Sequence, residues 1–167
     1  MDRRDCFALP LILAGCGGSD MEYEIQPTPT RVGDRLHSDV PGYREGTWIP
    51  SLGGDTTYIS QRGLYTRVGR LVFIQLAFEV NVIGTGSTVN VTGLPFTSSG
   101  DHAAISIADF DSLASSVVYL TGWITPEDTD ITFQALTAAS ATLGSANPIF
   151  GNGTILRASG IYTTLEL

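Results

Sequence analysis

From Val72 to Val82, every second position is apolar without a break. Val72, Ile74, Leu76, Phe78, Val80 and Val82 share one face. Leu71, Phe73, Gln75, Ala77, Glu79 and Asn81 share the other. Period two over this length predicts a long strand with one dry face and one mixed face. Gly84-Thr-Gly-Ser87 then supplies a turn, and Thr88 to Thr92 returns with Val89 and Val91 as the inward pair. Further strands are predicted at His102 to Phe110, Ser116 to Thr125, Asp130 to Ala138 and Gly153 to Leu165. Shorter extended pieces fall at Thr47 to Ser51, Tyr58 to Gln61 and Leu64 to Val68. Ala135 to Ala146 is the one stretch with helical colour, and its Thr, Ser and Gly residues argue against a helix. Short strands with turn signals every 8–12 residues or so describe an all-β body, a β-sandwich or jelly roll.

The pattern stops at the N-terminal side of this body. Residues 6–16 are an apolar run, too short to span a bilayer, which needs about 20 apolar residues. Residues 21–45 mix Pro, Thr, Gly and charges with no apolar period, the texture of an extended arm. The reading therefore divides the chain into an arm, 1–45, and a body, 46–167. Composition narrows the class of function. Nine basic residues, all of them Arg, stand against 17 acidic ones in 167 residues, for a formal charge of −8. Such a chain lacks the basic stripe that grips nucleic acid. With 43% hydrophobic residues it has enough to bury, so the body is not a disordered segment.

Several short motifs then occur in a fixed order: Gly46-Thr-Trp-Ile-Pro50, Tyr58-Ile-Ser-Gln-Arg-Gly-Leu-Tyr65, Thr66-Arg-Val-Gly69, Val91-Thr-Gly-Leu-Pro-Phe-Thr97, and Ser159-Gly-Ile-Tyr162 near the end. In this order they resemble the C-terminal knob domain of phage tail-fibre and spike proteins. That family has a GTW-P opening, a Y-T/S-x-Q-x-G-x-Y-T-K/R-x-G stretch, a G-L-P-F/Y turn and a closing I-x-x-S-G-x-Y strand. The resemblance implies a homotrimeric jelly-roll knob at the free end of a virion appendage, with the arm docked on capsid, neck or tail. The same residues have a plain structural use. Gly63 and Gly69 suit turns with positive φ, Leu94-Pro-Phe96 ends a strand so that the chain can cross over, and the rings of Trp48 and Tyr65 suit closing the end of a sandwich.

Candidate chemistry is sparse. The chain carries no G-x-S-x-G, phosphate-loop or dinucleotide fingerprint, so the reading is of a protein that is not an enzyme and needs no cofactor. His37 and His102 stand apart without partner ligands, so no metal site is predicted. Asp109 and Asp111 share a face, and Glu127, Asp128 and Asp130 crowd one turn, the usual place for solvated acids. The strand from Ser116 to Thr125 holds the receptor-binding candidates. With Val118, Leu120 and Ile124 pointing inward, Tyr119, Thr121 and Trp123 share the outer face, where rings can stack on sugars. Asp109 and Asp111 are the nearby acceptors for sugar hydroxyls. Burial of the same rings between subunits is the competing use.

Two rival functions fit parts of the chain. Leu13-Ala-Gly-Cys16 matches a bacterial lipobox, which would make Cys16 a lipidation site and the protein an exported, membrane-anchored lipoprotein with a β-sandwich binding module. A capsid decoration protein without receptor binding is the other. The resemblance favours a virion protein whose partners are its own copies, a capsid, neck or tail protein, and a host surface glycan or protein. Leu71, Phe73 and Ala77, outward on the long strand, would leave too much apolar surface on a monomer, which independently calls for a covering copy.

Overall fold

A computed structural model of the chain describes residues 42–139, 142–144 and 146–166. Cys16, His37 and the arm up to residue 41 lie outside the described residues. Eight strands follow in chain order: β1 Tyr43–Trp48, β2 Thr57–Val68, β3 Leu71–Val82, β4 Asn90–Val91, β5 Ala103–Asp111, β6 Tyr119–Ile124, β7 Ile131–Leu136 and β8 Ile155–Thr163. No helix occurs among the described residues, and the helix-coloured stretch after Ala135 instead continues β7 into a turn.

The alternation that marked β3 does what it predicts. Val72, Ile74, Leu76, Phe78 and Val80 are each no more than 3% exposed, whereas Leu71 and Phe73 face outward. Val82 departs from the pattern and is exposed. It pairs with Thr57, where the β2–β3 register shifts, so the strand leaves the core at that end. The two short pieces expected around Gly63 are one strand, β2, and Gly63 sits in its middle rather than in a turn. Its need for a hydrogen side chain comes from packing: a Cβ there would lie 2.6 Å from the Trp48 ring. Gly69 is the true turn residue, with φ +59°, and it opens the two-residue link between Val68 and Leu71.

All strand pairs are antiparallel, in the order β1-β2-β3-β8-β5-β6-β7-β4. This single sheet curls until its two ends meet, where Ser51 and Thr92 exchange backbone hydrogen bonds of 3.0 and 2.7 Å. The all-β expectation is met, with the two facing layers built from one continuous curled sheet. One core fills it. Phe150, from the loop before β8, touches Phe78 of β3 and Phe133 of β7 edge-on, at 5.7 and 5.3 Å between ring centres. Leu94 and Phe96 are buried after β4, where the chain crosses from the sheet's edge to its middle.

Arg67 is the unexpected member of the interior, at 2% exposed. Its Nε donates to the Gly69 carbonyl at 2.7 Å and its Nη2 to the Glu166 carbonyl at 2.5 Å. The guanidinium carbon lies 4.8 Å above the centre of the Phe96 ring, a cation–π contact. Nη1 is buried with no hydrogen-bond partner among the described residues. Beside it, Tyr162 donates its hydroxyl to the Phe96 carbonyl at 2.9 Å, and burial pushes its ionisation up.

The loops at one end are joined by a carboxylate. Asp55 Oδ1 accepts from the Thr85 amide and hydroxyl at 2.5 and 2.8 Å, and these bonds hold its pKa below the ordinary value. A depressed carboxylate contributes its stabilisation above the unfolded pKa and loses it as pH falls through the folded value. Exchange of the Thr85 amide proton is therefore expected to gain an extra acceleration below about pH 3.8. Asp55→Asn is expected to remove that pH dependence. An unchanged profile in the variant would mean that the carboxylate does not hold the loop.

Candidate binding surface on the outer sheet face

The sheet's register sorts its outward side chains into cross-strand rows. Val68 and Leu71 stand beside each other and next to Thr163. The next row runs Thr66, Phe73, Ile161, followed by Ala104 and Trp123 on β5 and β6. Then come Leu64, Gln75, Ser159 and Ser106. After these stand Arg62, Ala77, Arg157 and Asp109. The outer face thus grades from apolar through neutral polar to charged. Leu71, Phe73 and Ile161 are 51%, 39% and 54% exposed, which on a free body leaves a contiguous apolar half-face open to water.

A β-bulge decides where the predicted carboxylates go. Ile105 is buried and Ile107 packs against the core, so strict alternation along β5 would carry Asp109 and Asp111 inward as well. The register shifts between Ile107 and Asp109, inserting Ala108 and turning both carboxylates outward. Asp109 then accepts a close hydrogen bond from Arg157 Nη1, an ion pair with both side chains about half exposed. Asp111 Oδ1 caps the following turn through the Ser112 amide at 2.8 Å.

The strand beyond them is shorter than expected. β6 begins at Tyr119, and Val118, expected inward, is 60% exposed because it precedes the sheet's dry side. Leu120 and Ile124 are buried, and Tyr119, Thr121 and Trp123 do share the outer face. Four residues of strand put the two rings about 13 Å apart, however, and they serve different surroundings. Trp123 is half-buried in the apolar row, 5.7 Å from the His102 ring. Tyr119 is 53% exposed at the other end. There β5 and β6, which pair only at Ala103–Ile105, have parted to leave a groove of about 370 Å³. Asp109, Phe110, Val118 and Tyr119 line it. The structure therefore brings Tyr119 and Asp109 into one groove and places Trp123 outside it.

No family model matches the chain, and no curated protein matches it. Among solved structures, it is similar in fold to the Dettilon tailspike protein (gp208). The TM-score is 0.59 and the sequence identity 18%, over 72% of this chain and 24% of the tailspike chain. The chain thus spans about a quarter of the length of the protein it matches. At that identity the likeness is one of fold.

Among the described residues, no three His, Cys, Asp or Glu side chains gather where a metal could bind. The acidic turn is occupied by local bonds: Asp128 Oδ1 accepts from the Thr129 amide at 2.7 Å. Burial, with the nearby charge of Asp128 second, raises the pKa of Asp130. Sequence reasoning did not single out Arg62, Gln75, Arg157 and Ser159. Alternation makes each of them outward-facing, but only the pairing of β2, β3 and β8 shows that they are neighbours.

Proposed function

We propose that this chain is a structural virion protein of a phage, a spike or fibre component whose knob meets the host surface. The observation that carries the reading is the fold it shares with a phage tailspike over 72% of its length. In this reading the body assembles as a homotrimer, the part of the 1–45 arm that precedes β1 docks it on capsid, neck or tail, and it acts by binding rather than by catalysis. The graded outer face supports such a division of labour. The apolar rows around Leu71, Phe73 and Ile161, with Trp123 at their margin, are the surface that a second copy would cover. The groove at Tyr119 and Asp109 stays at the far end of the same face, available to a host glycan. A ring with a polar tip beside a carboxylate suits a sugar, whose faces are apolar and whose rim is hydroxyl.

Light scattering is expected to show a threefold mass for the whole protein at micromolar concentration. Phe73→Asp combined with Ile161→Asp places charge in the apolar rows without touching the core, and is expected to give a folded monomer. A monomeric wild-type protein, or a double variant that keeps the wild-type mass, would overturn this assignment of the face. Host binding is tested separately by adsorption of the labelled protein to host cells, which Tyr119→Ala is expected to weaken while leaving the mass unchanged.

A further inference from the structure

The charged row contains a second concavity. Between Arg62 on β2 and Arg157 on β8 the outward residue of β3 is only Ala77, so two long cationic side chains flank a dip. The two strand spacings between them amount to about 10 Å. The pocket measures about 300 Å³, and its lining includes Leu64, Gln75 and Ser159 from the neighbouring row and Ala108 from the β5 bulge. Ala108 also lines the Tyr119 groove, so pocket and groove are contiguous, with the Asp109–Arg157 pair between them.

We propose that this pocket binds the carboxylate-bearing sugar of an acidic host-surface glycan, further along the same chain from a sugar stacked on Tyr119. The proposal rests on the glycan-binding reading above and names the ligand's class. Charge narrows the group to a monoanion. Arg157 is neutralised by Asp109, whereas Arg62 has no ion-pair or hydrogen-bond partner among the described residues. Glu79 stands one row further along β3 and makes no ion pair with it. The pocket therefore holds one uncompensated positive charge in a protein of formal charge −8, which matches a single carboxylate better than a doubly charged phosphate. Arg62 supplies a planar fork of donors fitted to a carboxylate, and Asp109 holds the Arg157 guanidinium in place to meet the same group.

Hydrogen bonding selects the rest of the ligand. The side chains of Gln75 and Ser159 make no hydrogen bond within the described residues, so both are free to bond hydroxyls. Leu64 and Ala77 give an apolar floor for a ring face. An acidic side chain of another protein would satisfy Arg62 and leave Gln75 and Ser159 unused. The overall negative charge of the protein, which would repel an acidic polymer at a distance, is offset locally at this pocket. Binding should then depend on direct contact more than on long-range steering.

Calorimetry on the full-length protein tests the assignment, with oligosaccharides containing galacturonate, glucuronate or sialate as probes. Their carboxyl-reduced counterparts and a tetraglutamate peptide are the comparisons. At least one acidic oligosaccharide is expected to bind, and reduction of its carboxyls to weaken binding about tenfold or more. Arg62→Gln is expected to weaken it similarly and Arg62→Lys less, with trimer mass and melting temperature unchanged. Binding of none of the acidic probes, or equal binding of acid and reduced forms, would overturn the carboxylate pocket. Continued adsorption of the wild-type protein to host cells would still uphold the broader function. Tetraglutamate binding as tightly as the sugars would assign the pocket to an acidic peptide. Loss of the trimer in Arg62→Gln would assign it to the subunit interface. Either result would overturn the proposal.

Discussion

Phe150→Ala is expected to destabilise the body by about 3–5 kcal/mol, the range for removing a fully buried ring from a core. The site leaves little room for compensation. Phe150 is 1% exposed and stands between Phe78 and Phe133, so its ring joins the two halves of the curled sheet. Truncation would remove both edge contacts and leave a void that neither half can fill without moving toward the other. Chemical denaturation of the Phe73→Asp/Ile161→Asp double variant, with and without Phe150→Ala, measures the effect free of any linkage to assembly. A change below about 1 kcal/mol would show that the two halves close readily over the gap, and that the ring is filler rather than the junction.

Arg67→Ala is expected to cost about 4 kcal/mol, by removing two charge-assisted hydrogen bonds and a buried side chain together. The bonds join parts of the chain far apart in sequence: Nε reaches the β2–β3 turn at Gly69, and Nη2 reaches Glu166 near the C-terminal end. Arg70 reinforces the second tie, donating to the Thr164 carbonyl at 2.8 Å. Arg67→Met separates the contributions. Methionine restores most of the packing against Phe96 without the donors, so it is expected to cost about half as much. A Met variant as stable as the wild type would mean that desolvating the guanidinium costs as much as its bonds return. Proteolysis at residues 164–166 in the two variants gives a second readout, since both loosen that segment.

The strand pattern was legible because its cause is local. A side chain two positions along a strand lies on the same face, so Val72 to Val80 announced their own burial, and the Tyr119-Thr121-Trp123 face could be read before any partner was known. Turns were legible where the backbone itself demands glycine, as at Gly69. Gly63 misled for the same reason in reverse. Its requirement comes from the Trp48 ring across a strand pair, and a contact of that kind leaves no local mark.

What the sequence by itself determined is an all-β body with its long core strand, and the identity of the rings and carboxylates that could meet a ligand. The tertiary structure alone decided which of them meet. Register brought Arg62 and Arg157 to either side of Ala77, and a single bulge turned Asp109 and Asp111 outward that alternation would have sent inward. The parting of β5 from β6 gave Tyr119 a groove while leaving Trp123 in an apolar row. Burial of Arg67 and the central place of Phe150 followed from the curling of the sheet. Periodicity fixes which face a residue takes within its own strand. Neighbours across strands depend on register and curl, which are set by the packing of the whole core and by pairs up to a hundred residues apart in the chain.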